Sequence, residues 1–396
     1  MADQEFDDVS IDRLRRRSSS KWTRFDPDVL PAWIAEMDFA LAPPIQRRLE
    51  EAIELGDTGY ASEGLLAPSF IDFARRFGWT VAEEQVMLVP DIMAGVAEVL
   101  KAFTGAGDGV VINPPIYPPF YTTIETVGRR VIPVPMRLAA GGWELDLNGL
   151  AEAFEAGARA YLLCNPHNPT GRVFGERELR AVAELAARHD VAVISDEVHA
   201  PLTMPSFRHL PFVSIPQASQ GRNFTLISAS KGWNVPALKC AVLVPTRPNV
   251  DMARELLPKD LVDRVSHLGV IAAAAAFSPI GIAWLNRLVG YLDQNRRLLR
   301  DLLAVGLPKV DFMLPEAGYL AWLDCRALGL GDDPAKTFLA RGRVALYEGT
   351  RFGPEGSGYV RFNFGTSQAL VKEAVRRMRK AVGDAAKGGE MATTQM

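Results

Sequence analysis

An α/β protein with a mostly parallel sheet and a second, smaller α+β domain is predicted by three features of the chain. Between about 85 and 245, short β-rich runs alternate with amphipathic helical stretches, the order that marks βαβ units. Most of those runs are continuously apolar, as strands covered on both faces must be. After a long helical stretch at 282–303 the pattern changes to strands each followed by a helix.

The strand candidates are VVIN (110–113), RRVIPVP (129–135), AYLLC (160–164), VAVIS (191–195), FTLIS (224–228) and CAVLV (240–244). Between two of them, residues 176–189 put Leu179, Val182, Leu185 and Ala186 on one face at helical spacing, which predicts a crossover helix lying on the sheet. A second helix is predicted to start near Asp91 and run through Val96, Val99, Leu100 and Phe103. It should stop at Gly105 and Gly107, where the chain turns freely. The Ala-rich run GVIAAAAAF (269–277) is too short to span a bilayer and predicts a buried helix. DFMLPEAGYLAWLD (311–324) and YVRFNFG (359–365) read as strands of the smaller domain. The expected limits are 41–285 for the large domain and 1–40 with 286–382 for the small one, and the small, polar stretch 383–396 is expected to be a disordered tail.

Composition narrows the partners. The chain of 396 residues mixes 44 basic with 47 acidic side chains for a net charge of −3, so no strong field draws in nucleic acid or an anionic membrane. A small molecule is the simpler expectation. The first residues lack the apolar core of a signal peptide and no run reaches the ~18 apolar residues of a membrane helix, so a cytoplasmic location is expected. Cys164, Cys240 and Cys325 lie far apart in apolar runs, without metal-ligand spacing, and are expected to be buried reduced thiols.

Five local features carry chemistry. In SASKGWN, Lys231 follows a strand at the edge where open α/β sheets bind ligands, with Ser228 and Ser230 just before it; a lysine desolvated there has a lowered pKa and condenses with a carbonyl. SDEVHA puts Asp196 at the end of the neighbouring strand, either as a helix cap or as the carboxylate that keeps a pyridine nitrogen protonated. His199 is either a partner on the phenolic-oxygen side of such a ring or a packed neighbour. CNPHNPTGRVF is a rigid loop after AYLLC that places the Asn168 amide at the same edge, where it would donate to the ring oxygen. The turn VPDIM opens a helix whose first N–H groups, at Ile92 and Met93, favour a phosphate with help from the Ser228 hydroxyl. Asp91 serves there as N-cap, provided that its carboxylate turns away from the anion, and Lys239 is either a counter-charge or an exposed lysine. Finally, Arg361 in YVRFNFG sits inside an apolar strand, either in a structural ion pair or offering its planar fork to a substrate carboxylate. A condensing lysine, a ring-facing acid and a phosphate turn together imply pyridoxal 5'-phosphate (PLP).

With NPPIYPPF, NPHNPTG, SDEVH, SASKGWN and YVRFNFG in this order, the chain resembles the fold-type I PLP enzymes of the aminotransferase class I and II superfamily over nearly its whole length. WIAEMDFA (33–40), SDEVHAPL and FGPEGSGYVRFN resemble its carbon-sulfur β-lyase branch, the cystathionine β-lyases. The resemblance implies a large domain with a mostly parallel seven-stranded sheet and a small domain from both termini. It implies Lys231 as Schiff-base lysine and proton shuttle, Asp196 against the pyridine nitrogen, Asn168 on the ring oxygen, Tyr117 stacked on the ring and Arg361 on the substrate carboxylate. It also implies a homodimer with shared active sites, in which Tyr60 reaches the phosphate of the neighbouring subunit's cofactor. The implied activity is cleavage of cystathionine or a related sulfur amino acid to a thiol, pyruvate and ammonia. An aminotransferase shares its first half-reaction, and a non-catalytic PLP-binding regulator would need a basic DNA-binding domain far longer than RLRRRSSSK (13–21).

Overall fold

Seven strands form the sheet of the larger of two compact units in the computed structural model, which describes residues 4–393. That unit comprises 41–168 with 172–286; the smaller comprises 1–40, 169–171 and 287–396. One limit falls inside the long helix Pro279–Gly306.

Across the sheet the strands lie in the order Met87–Val89, Ala241–Pro245, Asn223–Ile227, Ala192–Asp196, Ala160–Cys164, Gly109–Ile112 and Arg130–Pro133. All run parallel except Ala241–Pro245, which pairs antiparallel with both neighbours. Six of the seven coincide with the apolar runs of the sequence to within a residue or two. Met87–Val89 is the strand the sequence pattern missed, because three residues followed by Pro90 are too few to show a period.

Alternate residues of the strands feed two separate cores. Val110, Ile112, Ala160, Leu162, Cys164 and Ile194 belong to one apolar cluster, and Val111, Tyr161, Leu163 and Val193 to the other. The two-residue period of a strand produces this division, and burial on both sides is what makes the runs continuously apolar. The helix Ile92–Phe103 lays Val96, Val99, Leu100 and Phe103 into the first core. Glu176–Arg188 lays Leu179, Val182, Ala183 and Ala186 into the second. Each of the Val, Leu and Phe side chains among these contributes about 1.5–3 kcal/mol when taken from water.

In the smaller unit an antiparallel sheet runs in the order Asp311–Phe312, Leu320–Asp324, Tyr359–Asn363 and Tyr347–Glu348. The stretch 311–324 is therefore two strands: Pro315 and Gly318, the latter at φ +81°, break it. Leu30–Pro31 pairs parallel with Val344–Ala345 and ties the N-terminal segment into this unit. The helix Gln368–Thr393 closes this unit and reaches into the stretch 383–396 that the sequence marks as a tail. Residues 394–396 lie outside the described residues. Among the described residues no single helix is long and apolar enough to cross a membrane.

The Ala-rich run lies in the buried helix His267–Phe277, which starts where the Ser266 hydroxyl accepts from the Gly269 N–H at 3.2 Å. Gly269 has a packing reason to be glycine. A Cβ there would lie 1.9 Å from the Leu238 carbonyl oxygen, in the turn that carries Lys239. Gly269→Ala should cost about 1–3 kcal/mol through overpacking, measured by chemical denaturation. A loss below about 0.5 kcal/mol would mean that the 236–240 turn yields freely.

Candidate active site

Parallel strands deliver their following loops to one edge. Asp91 follows Met87–Val89, Tyr117 follows Gly109–Ile112, and Asn168 follows Ala160–Cys164. Asp196 ends its own strand just before His199, and Ser228 and Lys231 follow Asn223–Ile227. Lys239 precedes the one antiparallel strand, so it too stands at that edge. All predicted site residues of the larger unit except Tyr60 thus leave the sheet on the same side. Tyr60 is 84% exposed, on the connection between the helices Pro43–Leu55 and Glu63–Ala74.

Asp196 is buried, and its Oδ1 accepts from the Val198 N–H at 3.1 Å. Desolvation raises its pKa to about 7, against the pull of the Val198 N–H and the Lys231 ammonium, with the neighbouring Glu197 charge adding to the rise. Lys231 is half-buried in the short helix Ala229–Gly232. Ser228 caps that helix: its Oγ accepts from the Ser230 N–H at 3.1 Å and donates to the Cys240 carbonyl at 2.7 Å. With its proton on Cys240, the hydroxyl would have to rotate before it could serve a phosphate.

The Asn168 loop is rigid for visible reasons. Asn165 donates its N–H to the Asp196 carbonyl at 3.0 Å and accepts from the Phe174 N–H at 3.0 Å, while the His167 N–H donates to the Arg172 carbonyl at 2.8 Å. The Asn168 N–H donates to Cys164 Sγ at 3.4 Å, and the residue is buried. Burial pushes His167 down to about 4, opposed by the Asn113 carbonyl at 3.3 Å, so this imidazole is neutral at physiological pH. Tyr117 is half-buried, its ring edge-on to Phe120 with centroids 6.0 Å apart. His199 is buried and leads into the turn Ala200–Leu202.

At the helix of Ile92 and Met93, Asp91 is the N-cap the sequence predicts, and Lys239 is its counter-charge. Asp91 Oδ1 accepts from the Ala94 N–H at 2.8 Å, and Oδ2 pairs with Lys239 Nζ at 2.7 Å. Desolvation raises this carboxyl, but Lys239 and the Ala94 and Met93 N–H groups outweigh it and hold the pKa below the usual range. The cap and its lysine are a neutral pair, which removes the repulsion an anion would otherwise meet here.

Sequence patterning missed Glu197. Its carboxylate is wholly buried and accepts from the Ser195 hydroxyl at 2.8 Å, the Thr225 hydroxyl at 3.0 Å, the Phe212 N–H at 2.8 Å and His209 Nε2 at 2.8 Å. The Asp-Glu doublet closing an apolar strand was the available signal: adjacent strand residues point to opposite faces, so the two carboxyls serve different environments. The three cysteines are unpaired and buried.

Arg361 lies in the smaller unit, on the strand Tyr359–Asn363, and is 2% exposed. Its Nη2 donates to the Trp33 carbonyl at 3.1 Å, and its guanidinium carbon lies 4.7 Å from the Tyr347 ring centroid and 5.0 Å from that of Phe352.

Comparison with known proteins settles the family. Residues 71–378 match the family model for aminotransferase class I and II. The chain belongs to the aminotransferase class I and II family. Within it, a Mycobacterium leprae (strain TN) protein provisionally named a cystathionine beta-lyase is 44% identical over 96% of this chain and 99% of its own. Cystathionine beta-lyase PatB of Bacillus subtilis (strain 168) is 33% identical over 94% of this chain and 100% of its own. Among solved structures, the PLP-bound C-S lyase of Staphylococcus hominis superposes with a TM-score of 0.87 at 25% identity, covering 95% of this chain and 98% of that one. The fold is accordingly the type I fold of PLP-dependent enzymes, with the seven-stranded, mostly parallel sheet.

The raised Asp196 has a measurable consequence in cofactor-free protein. Between the unfolded value of 3.8 and about 7 the folded state holds a proton that the unfolded chain has lost, so this group's contribution to stability falls as pH rises through that window. Asp196→Asn should therefore be more stable than the parent, by an amount that opens above about pH 4, levels off above about 7 and is on the order of a few kcal/mol. His167 acts in the opposite direction but is common to both proteins and cancels in the difference. Denaturant midpoints across pH check this; a pH-independent gap would contradict it.

Proposed function

We propose that this chain is a PLP-dependent carbon-sulfur β-lyase that cleaves cystathionine or a related sulfur amino acid to a thiol, pyruvate and ammonia. The observation that carries the cofactor is the charge pattern at the sheet edge. A buried carboxylate raised toward neutrality by desolvation, with an amine acting on it, gains most from a second cation held against it, and a protonated pyridine nitrogen is such a cation. When bound, PLP supplies an electron sink conjugated to the substrate's Cα.

The chain's own residues do the rest. Lys231 would hold the cofactor through its amine and would move the proton at the substrate's Cα. Asp196 keeps the pyridine nitrogen protonated, and Asn168 donates to the ring oxygen. Tyr117 would stack on the ring, and His199 would pack on the phenolic-oxygen side. The first turn of the helix at Ile92 and Met93 receives the phosphate beside the neutral Asp91–Lys239 pair, with the Ser228 hydroxyl rotated toward it. Arg361 would grip the α-carboxylate of the substrate and so orient the substrate's Cα. Tyr60, exposed in the single chain, contacts the phosphate held by a second copy in a homodimer with shared active sites. The enzyme works in the cytoplasm. Its lyase outcome, and not transamination, is supported by relatives named for cystathionine cleavage along nearly their whole length.

Two measurements test this. Purified protein should form pyruvate from L-cystathionine with no keto acid added; amino-group transfer to a keto acid without pyruvate would make it an aminotransferase instead, and no turnover of either kind would leave a non-catalytic PLP-binding regulator. Lys231→Ala should lower kcat by at least about 10²–10⁴-fold, and borohydride should no longer fix cofactor to the protein.

A further inference from the structure

The basic run RLRRRSSSKW (13–22) has no place in the chemistry above, yet three of its long side chains are committed. Arg17, Lys21 and Trp22 all reach WIAEMDF (33–39), a segment that is neither helix nor strand. Having no ladder partner, that segment has its carbonyls taken one after another by side chains. Arg361 Nη2 takes Trp33 at 3.1 Å, Asn363 Nδ2 takes Ile34 at 2.7 Å, and the Tyr319 hydroxyl takes Ala35 at 2.9 Å. Lys21 Nζ takes Glu36 at 2.8 Å, and Arg17 takes Met37, Asp38 and Phe39 at 3.3, 2.8 and 2.9 Å. At its centre is an ion pair, Lys21 Nζ to Asp38 Oδ1 at 2.8 Å, with side chains 1% and 3% exposed. The Trp22 indole N–H also donates to that oxygen, at 3.2 Å, and the Asp38 N–H donates to the Gly365 carbonyl at 2.9 Å.

A buried ion pair is seldom more stabilising than apolar side chains of the same volume, so its value lies in where it puts the chain. Here the chain it holds ends in the Trp33 carbonyl, which receives one arm of the Arg361 fork while the Tyr347 and Phe352 rings hold its plane. A planar fork recognises a carboxylate only in a narrow range of orientations. We propose that Lys21 and Asp38 are positioning residues for substrate recognition: their buried pair sets the 33–39 strap, and the strap's Trp33 carbonyl orients the Arg361 guanidinium. This rests on Arg361 being the group that binds the substrate carboxylate.

The test uses the holoenzyme with L-cystathionine and follows KM, kcat, melting temperature and the visible spectrum of bound cofactor. Arg361→Lys should raise KM by about tenfold or more. Lys21→Met alone strands a buried carboxylate and should lower the melting temperature, whereas Lys21→Met with Asp38→Leu leaves no unpaired charge and should melt near the parent. That double variant should still show KM raised about five- to tenfold, with kcat within about threefold and an unchanged cofactor spectrum, because the strap has lost its anchor. Asp38→Asn gives the same reading without depending on how the double variant folds. An unchanged KM in either variant, alongside a raised KM in Arg361→Lys, overturns the role of the pair alone. An unchanged KM in Arg361→Lys overturns the assignment of Arg361 and this inference with it.

Discussion

A strand buried on both faces can carry a polar side chain only where a hydrogen-bond partner meets it, as Ser195 and Thr225 meet Glu197, and this constraint organises the larger unit. Ala160–Cys164, Ala192–Asp196 and Asn223–Ile227 are buried at every position, and polar chemistry gathers where each strand ends. Because these strands are parallel, those ends share one edge, which brings Asn168, Asp196 and Lys231 to the same side from positions up to 63 residues apart in sequence. The single antiparallel strand adds Lys239 to that edge by starting where its neighbours stop.

Consecutive acids at the end of Ala192–Asp196 show how environment assigns roles. Glu197 is surrounded by four donors within 3.0 Å and is a structural node joining strand ends to the 209–212 segment. Asp196 faces the other way, where desolvation outweighs the help of the Val198 N–H and Lys231. One carboxylate is satisfied by the fold; the other is left wanting a cation, which the fold by itself supplies only in part. The proposed protonated pyridine at this edge rests on that imbalance.

The smaller unit handles buried cations differently. Arg361 is held by a backbone carbonyl and two ring faces, and Lys21 by a carbonyl and the Asp38 carboxylate. Ring faces and carbonyls attract a guanidinium without cancelling its charge. A full ion pair at Lys21, by contrast, closes that site to ligands and makes it a fastening.

Local pattern was enough to read much of this from the residues in order. Six of seven strands and the helices Ile92–Phe103 and Glu176–Arg188 were legible because apolar spacing reports directly on which faces are buried. The positions of Lys231, Asp196 and Asn168 were legible as well, since each directly follows or ends such a run. What the chain order could not convey depends on long-range pairing. Whether Lys239 was a counter-charge or an exposed lysine was decided only by its pairing with Asp91, 148 residues earlier. The hydrogen bond from the Ser228 hydroxyl to the Cys240 carbonyl, twelve residues on, likewise shows only in the folded chain. The Lys21–Asp38 pair and the four donors around Glu197 carry no periodic signal, because hydrogen bonds between side chains far apart in sequence are set by packing. Burial is a property of a segment and shows in its own composition; a polar partner is a property of two segments, and only the folded chain decides which two meet.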